Sequence, residues 1–154
     1  MLRIIRAFLR RLAKNTLHPG LRMALFRLSG ITIGSESFIN MDVLFVDNYR
    51  KNAIKLGNRV AVAPGTIFVA DSDPNNSRLK SIKFFTVRGT ITVRDDAWIG
   101  ANAVILPNIN IGKQAVVGAG AVVTRDVENF AIVGGIPARK IGDVRMKQGH
   151  VDYK

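Results

Sequence analysis

The side chains best suited to proton transfer in this 154-residue chain are carboxylates, because cysteine is absent and only two histidines occur. Without cysteine there is no thiol nucleophile or zinc–thiolate site, and the two histidines, His18 and His150, cannot supply a catalytic metal site that needs three histidine ligands. Carboxylates and hydroxyls are concentrated at residues 71–76, which read DSDPNN. An aspartate is ionised at neutral pH but is a weak base, unless burial raises its pKa above about 3.9. The same residue types form turns, so the stretch also has a purely structural interpretation.

A six-residue repeat flanks this stretch and must position it. Between residues 93 and 128 the first position of each block is aliphatic and the fifth is small or aliphatic. This period fits neither a helix nor an alternating strand, but it fits a chain coiled around a triangular prism with one short strand on each face. Three blocks then make one turn, and the first positions point inward. Those positions are Val93, Ile99, Ile105, Ile111, Val117 and Val123, preceded by Ile33, Ile39, Phe45, Leu56, Val62 and Phe68.

The repeat is interrupted twice. Residues 51–55 shift its register by five, which indicates a bulge or loop at a corner of the prism. Residues 74–92 form a longer insertion, and such a loop leaving a regular scaffold is typical of a functional site. We therefore expect a repeat domain over residues 31–142 and a polar tail over residues 143–154, as a short helix or a loose end.

Residues 1–30 form a basic segment of different character, with no acidic residue before Glu36. The spacing predicts an amphipathic helix over residues 1–14, a break at His18-Pro19-Gly20 and a second helix over residues 21–28. Either the first helix lies in an anionic membrane interface, or it packs its apolar face on the rest of the protein or on a partner subunit. The apolar side of the first helix would carry Leu2, Ile5, Phe8, Leu9 and Leu12. Its basic side would carry Arg3, Arg6, Arg10 and Lys14. One face of the second helix would carry Leu21, Ala24, Leu25 and Leu28.

The net charge of +12 points to anionic partners. Nucleic acid is not expected, because no stretch offers aromatic stacking platforms or a known nucleic-acid-binding motif. No apolar run approaches the ~20 residues that span a bilayer. We expect a cytoplasmic protein; if the first helix lies in a membrane interface, residues 1–14 are its peripheral contact with the inner membrane face.

The segments WIGANAVILPNINIG, VVGAGAVVTRDV and AIVGGIPARKIG closely resemble the hexapeptide-repeat acyltransferases. The resemblance is strongest to the branch of galactoside, maltose and exopolysaccharide O-acetyltransferases, with serine acetyltransferase as a cousin. It implies a mainly β fold, a left-handed parallel β-helix of about four turns with a short helical N-terminal segment. It also implies a homotrimer that binds acetyl-CoA in the groove between neighbouring prisms.

The same resemblance assigns site residues. Acetyl-CoA contacts would fall on Trp98, Ala101, Ala119, Thr124, Arg125, Arg139 and Lys140. The histidine that serves such enzymes as general base would fall on Asp71, Ser72 or Asp73, none of which is histidine. Acceptor contacts would fall on Asn75, Asn76, Phe84 and Phe85.

Three explanations of the missing histidine stay open. Asp71 or Asp73 acts as the base, His18 or His150 reaches the site from an adjacent subunit, or the protein binds CoA or sugar without catalysis. The sequence thus predicts an acetyl-CoA-dependent O-acetyltransferase for a sugar hydroxyl of a surface polysaccharide or its precursor. The alternatives are a non-catalytic CoA- or sugar-binding subunit, and an acetyltransferase for another small hydroxyl or amino acceptor.

Overall fold

The computed structural model describes residues 1–82 and 86–145, in which two helices precede a coil of short strands. The helices are α1 (Leu2–Asn15) and α2 (Pro19–Leu28), and a 3₁₀ turn covers Arg78–Ser81. The strands are β1 (Thr32–Ile33), β2 (Phe38–Ile39), β3 (Leu44–Val46), β4 (Ile54–Leu56), β5 (Ala61–Val62), β6 (Ile67–Val69), β7 (Asp71–Ser72), β8 (Val87–Arg88), β9 (Ile91–Val93), β10 (Trp98–Ile99), β11 (Val104–Ile105), β12 (Ile109–Ile111), β13 (Val116–Val117), β14 (Val122–Val123), β15 (Ala131–Gly134) and β16 (Arg139–Asp143).

The strands pair in parallel in three sheets that form the faces of a prism. Sheet A contains β1, β4, β9 and β12, sheet B contains β2, β5, β10, β13 and β15, and sheet C contains β3, β6, β11 and β14. The chain passes from A to B to C four times within the described residues. The predicted left-handed parallel β-helix of about four turns is therefore confirmed. Strand β16 turns back and pairs antiparallel with β15 at the C-terminal end of the prism.

The first position of each six-residue block fills the core, as the repeat predicts. Phe45, Phe68, Ile105 and Val123 stand in register on sheet C, and all four are buried. The Phe45 and Phe68 rings stack with centroids 5.4 Å apart, and Phe26 of α2 meets Phe45 edge-on at 5.1 Å. The apolar stack of the prism thus continues into the helical segment.

The corners of the prism are joined by side-chain amides and carboxylates. Asn58 Oδ1 accepts from the Ser35 amide at 2.9 Å, and Asp95 Oδ1 accepts from the Asn58 amide at 2.8 Å. Only glycine fits beneath such a bridge: a Cβ on Gly57 would lie 2.3 Å from Asp95 Oδ1. These bonds satisfy backbone donors where no strand partner exists.

The orientation of α1 differs from one of the two interpretations offered by the sequence. The residues of α1 that are buried are Arg10 and Ala13, whereas Leu2, Ile5, Phe8 and Leu12 are exposed. The prediction that α1 packs its apolar face on its own chain is therefore wrong. The reason is Asp47, whose side chain is fully buried and forms a two-pronged ion pair with Arg10. A buried carboxylate needs such a partner, and this requirement brings Arg10 inward together with Ala13.

Helix α2 also turns a different face inward. It buries Arg22, Met23 and Phe26, while Leu21 and Leu28 of the predicted apolar face are exposed. Arg22 is held by backbone carbonyls, including that of Ile39 at 3.0 Å. No helix in the described residues is long and apolar enough to cross a membrane.

Candidate functional site

A short hairpin interrupts the prism where the sequence places the reactive residues. Strand β7 (Asp71–Ser72) pairs antiparallel with β8 (Val87–Arg88), so the insertion leaves and re-enters the prism beside sheet C. The pairing opposes Asp71 to Arg88 and Ser72 to Val87. Asp71 is thus part of the base of the loop, and Asp73 lies just beyond the last paired residue.

The Asp71 carboxylate is held by Arg50. Arg50 Nε donates to Asp71 Oδ2 at 2.9 Å, and its Nη2 donates to Asp71 Oδ1 and to the Gly89 carbonyl. These hydrogen bonds raise the pKa of the Arg50 guanidinium, and the Asp71 side chain is only 11% exposed. Because the guanidinium engages both carboxylate oxygens, fewer lone pairs remain to accept a hydrogen bond from a substrate hydroxyl. The geometry therefore suits Asp71 better to holding the hairpin than to proton transfer.

Asp73 lies in a different environment. Its Oδ1 accepts from the Asn75 amide at 2.7 Å, and the residue is exposed. Within residues 1–82 and 86–145 no lysine or arginine forms an ion pair with it. Asp73 keeps carboxylate lone pairs that a substrate hydroxyl could reach.

An open cavity of about 420 Å³ brings several predicted residues together beside β7 and β8. It is lined by Asp71, Ser72, Asp73 and Asn75, together with Asn48, Val46, Val69, Thr86, Val87 and Arg88. Asn76 is exposed in the same loop but does not line the cavity. Phe84 and Phe85 lie outside the described residues.

His18, the histidine within the described residues, does not line this cavity. His18 caps α2, and its Nδ1 accepts from the Leu21 amide at 3.2 Å. This gives it a structural role at a helix start. His150 lies outside the described residues.

The small residues predicted to contact acetyl-CoA stack at one corner of the prism. Ala101 lies in the turn between β10 and β11, Ala119 lies in the turn between β13 and β14, and the Gly120 amide donates to the Ala101 carbonyl at 2.7 Å. Trp98 lies on the neighbouring outer face of sheet B and is 58% exposed. These residues lie where sheet B turns into sheet C, and Ala119 and Trp98 are exposed there.

The predicted cations cluster at the C-terminal end of the prism, around a cavity of about 200 Å³. Its lining includes Arg125, Arg139 and Lys140. Lys140 donates to Glu128 at 2.9 Å, and this bond lowers the pKa of the Glu128 carboxyl. Lys140 is therefore already paired, whereas the side chain of Arg139, among the described residues, donates only to the carbonyl of Ala138. Thr124 and Arg125 follow β14, so strand β14 separates them from the corner of Ala101 and Ala119.

Three residues at the hairpin were missed by sequence reasoning. Arg50 and Asn48 belong to the turn after β3, and Arg88 belongs to β8. A signal for Asn48 existed, because it follows the block led by Phe45 at the same spacing as Asp71 follows the block led by Phe68, one turn later. No group of three metal-ligating side chains occurs in the described part of the chain.

Comparison with known proteins agrees with this architecture. The family description "Bacterial transferase hexapeptide (six repeats)" matches residues 90–125. A galactoside O-acetyltransferase of Escherichia coli is 30% identical over 127 residues, which is 82% of this chain and 60% of the relative. A chloramphenicol acetyltransferase of Klebsiella aerogenes is 49% identical over 57 residues, 37% of this chain and 27% of the relative. The chain thus spans about 60% or less of the length of these curated relatives.

A solved structure matches nearly the whole chain. A hexapeptide-repeat-containing acetyltransferase from Vibrio cholerae is 30% identical with a TM-score of 0.76, covering 94% of this chain and 91% of that one. The structure of the same Vibrio protein complexed with acetyl coenzyme A matches with a TM-score of 0.77. The match covers 94% of this chain and 87% of that one. Repeat, fold and near-complete coverage agree, and the chain belongs to the hexapeptide-repeat acetyltransferase family.

Proposed function

We propose that this protein is an acetyl-CoA-dependent O-acetyltransferase that modifies a sugar hydroxyl of a surface polysaccharide or its precursor. The observation that carries the proposal is the 30% identity, over nearly the full length of both chains, to the Vibrio cholerae acetyltransferase solved with acetyl coenzyme A. The sugar class follows the galactoside O-acetyltransferase of Escherichia coli, which matches 82% of this chain.

The donor side of the proposed site has two parts. The corner of Ala101 and Ala119 presents small side chains, so an extended pantetheine arm could approach backbone amides there. Arg125 and Arg139 supply cations for the phosphates of the donor, and charge-assisted bonds from a guanidinium suit such groups. Lys140 is the weaker candidate, because Glu128 already neutralises it.

The acceptor side of the proposed site is the cavity beside β7 and β8. The hydroxyl oxygen of the acceptor attacks the thioester carbonyl, its proton passes to a base, and the thiolate of CoA leaves and is protonated. The new ester and free CoA account for all atoms. We assign the base to Asp73 in preference to Asp71, because Arg50 occupies both oxygens of Asp71. Ester formation from a thioester does not require a strong base, so an ionised carboxylate could accept the proton.

The proposal is tested by following release of the CoA thiol from acetyl-CoA, with and without a panel of sugars. Acceptor-dependent release that saturates with both substrates supports transfer. Binding of acetyl-CoA without acceptor-dependent release would favour the non-catalytic alternative. A narrow preference for non-sugar hydroxyl compounds would favour the alternative suggested by the chloramphenicol acetyltransferases.

Replacement of Arg125 or Arg139 by glutamine is expected to weaken acetyl-CoA binding. Each lost charge-assisted bond should raise the Kd about tenfold, measured by titration calorimetry. Lys113→Gln is the matched control, because Lys113 is an exposed cation after β12 and lies outside this cavity. Equal effects of all three substitutions would point to general electrostatic attraction and would contradict the assigned site.

A homotrimer is supported by the outer faces of the prism. On sheet A these faces carry Thr32, Lys55, Thr92 and Asn110, whereas on sheet C they carry Leu44, Ile67, Val104 and Val122. An aliphatic face next to a polar one favours burial against neighbouring copies, and a closed ring of three covers such faces symmetrically.

Val104→Lys is therefore expected to dissociate the assembly, and Thr92→Lys is its matched control on the polar sheet. Both residues are half-buried and point outward from central strands. Analytical ultracentrifugation should give a trimer mass for the wild type and the control, and a monomer mass for Val104→Lys. A monomeric wild-type protein would contradict the assembly.

A further inference from the structure

Helix α1 presents an uncovered apolar face. Ile4 is 75% exposed and Phe8 is 62% exposed, and Met1, Leu2, Ile5 and Leu12 are exposed beside them. Nothing within residues 1–82 and 86–145 covers this face. A helix on a water-soluble prism ordinarily shows the opposite arrangement, with its apolar side inward. We therefore expect another molecule to cover this face.

The face is held outward by buried polar contacts. Arg10 is only 8% exposed, and its Nη2 lies 2.8 Å from Asp47 Oδ2. Its Nε donates to Ser29 Oγ at 3.2 Å, and its guanidinium lies 5.0 Å from the ring centroid of Tyr49. One turn earlier, Arg6 Nη1 donates to the Tyr49 carbonyl at 2.8 Å. Rotating α1 to bury Phe8 would break all of these contacts and leave Asp47 buried without a cation.

Cations border the apolar face. Arg3, Arg11 and Lys14 are exposed on α1, and no acidic residue occurs before Glu36. A groove of about 750 Å³ runs between α1 and the first turn of the prism. The groove is lined by apolar side chains (Ile4, Phe8, Leu44) and by basic side chains (Arg11, Lys14). Asp42 also lines this groove, 3.6 Å from Lys14, and partly offsets that charge.

We propose that the outward face of α1 docks the protein on an anionic lipid bilayer, with the helix lying in the plane of the interface. The apolar side chains enter the acyl boundary and the bordering cations meet lipid headgroups, as in other interfacial helices. The buried Arg10–Asp47 ion pair keeps this face of α1 outward. A second copy of the same face is a poorer occupant, because it would place Arg3 and Arg11 against like charges.

The test is co-sedimentation of the purified full chain with vesicles of phosphatidylcholine alone, and of equal parts phosphatidylcholine and phosphatidylglycerol. We expect binding to the anionic vesicles that added salt reverses. The double variant Ile4→Ser/Phe8→Ser should bind them at least about tenfold more weakly. The double variant Arg3→Gln/Arg11→Gln should bind about thirtyfold more weakly. The changed side chains are exposed, so circular dichroism should be unaltered.

Leu79→Ser/Ile82→Ser is the matched control, since both residues are half-exposed and lie on the insertion away from α1. This variant should bind like the wild type. Unchanged vesicle binding by Ile4→Ser/Phe8→Ser would overturn the proposal. If that variant instead lost its assembly in ultracentrifugation, while the wild type ignored vesicles, the face would be a contact between copies and the proposal would also fall.

The docking proposal stands apart from the proposed acetyl transfer. Vesicle binding is measured without acetyl-CoA, and thiol release is measured with water-soluble acceptors, so either result can fail alone. Should both hold, the α1 face would bring the prism to a membrane-held acceptor. Ile4→Ser/Phe8→Ser should then lose activity on a lipid-linked sugar in vesicles, while retaining activity on the free sugar.

Discussion

Asp47→Ala is expected to lower the free energy of unfolding by about 3–5 kcal/mol, because it leaves the buried Arg10 without its counter-charge. The Asp47 side chain is fully buried and receives two bonds from the Arg10 guanidinium and one from the Tyr49 amide at 3.0 Å. Equilibrium unfolding in urea, followed by circular dichroism, measures the change. Asp42→Asn is the control: that carboxylate is 69% exposed and lies 3.6 Å from Lys14, and asparagine tolerates the left-handed backbone at this position (φ 60°), so loss of the charge should cost less than about 0.5 kcal/mol.

A double variant separates the cost of an unpaired charge from the cost of an empty space. Arg10→Met/Asp47→Leu should recover most of the lost stability, since buried pairs exchange for apolar residues at little net cost. A loss below about 1 kcal/mol in Asp47→Ala would contradict the orientation of α1 described above, because an exposed pair gives such a value.

Asp73→Asn is expected to lower kcat for acetyl transfer about a hundredfold or more, since the amide cannot accept the proton of the acceptor. The substitution keeps the size of the side chain and the acceptor oxygen that receives the Asn75 amide. Steady-state thiol release measures kcat and KM separately. A kcat within about threefold of that of the wild type would contradict the role of Asp73 as the base.

Two companion variants distinguish proton transfer from support of the site. Asp71→Asn should weaken the Arg50 clamp and raise KM with little loss of kcat, as a residue that positions the hairpin would. His18→Ala should leave kcat unchanged, because His18 caps α2. Retained activity in Asp73→Asn with loss in His18→Ala would reverse the assignment in favour of a histidine from an adjacent subunit.

The prism could be predicted from sequence because each of its contacts repeats locally. A spacing of three blocks places Ile99 beneath Val117 and Ala101 near Gly120, with no knowledge of distant residues. Where the chain leaves the repeat, this predictability ends. Arg125 and Arg139 come together only because β16 turns back on β15 at the end of the prism.

The orientation of α1 could not be predicted from its own residues. A helical wheel finds an apolar and a basic side but does not say which one faces the protein. The deciding partner, Asp47, is 37 residues from Arg10 and has no distinguishing pattern around it. The pairing of Arg50 with Asp71, over 21 residues, changes the interpretation of a predicted base in the same way. Both cases are buried or half-buried ion pairs, whose partners are set by tertiary structure.

The most direct test of the proposed transferase is the identity of its product. The purified protein would be incubated with acetyl-CoA and a sugar acceptor, and the sugar analysed by mass spectrometry before and after mild alkali. The proposed transfer should give a sugar heavier by one acetyl group, held in an alkali-labile ester; the wild type should form it, and Asp73→Asn should form much less. An unmodified sugar across the acceptor panel, from protein that binds acetyl-CoA, would contradict it.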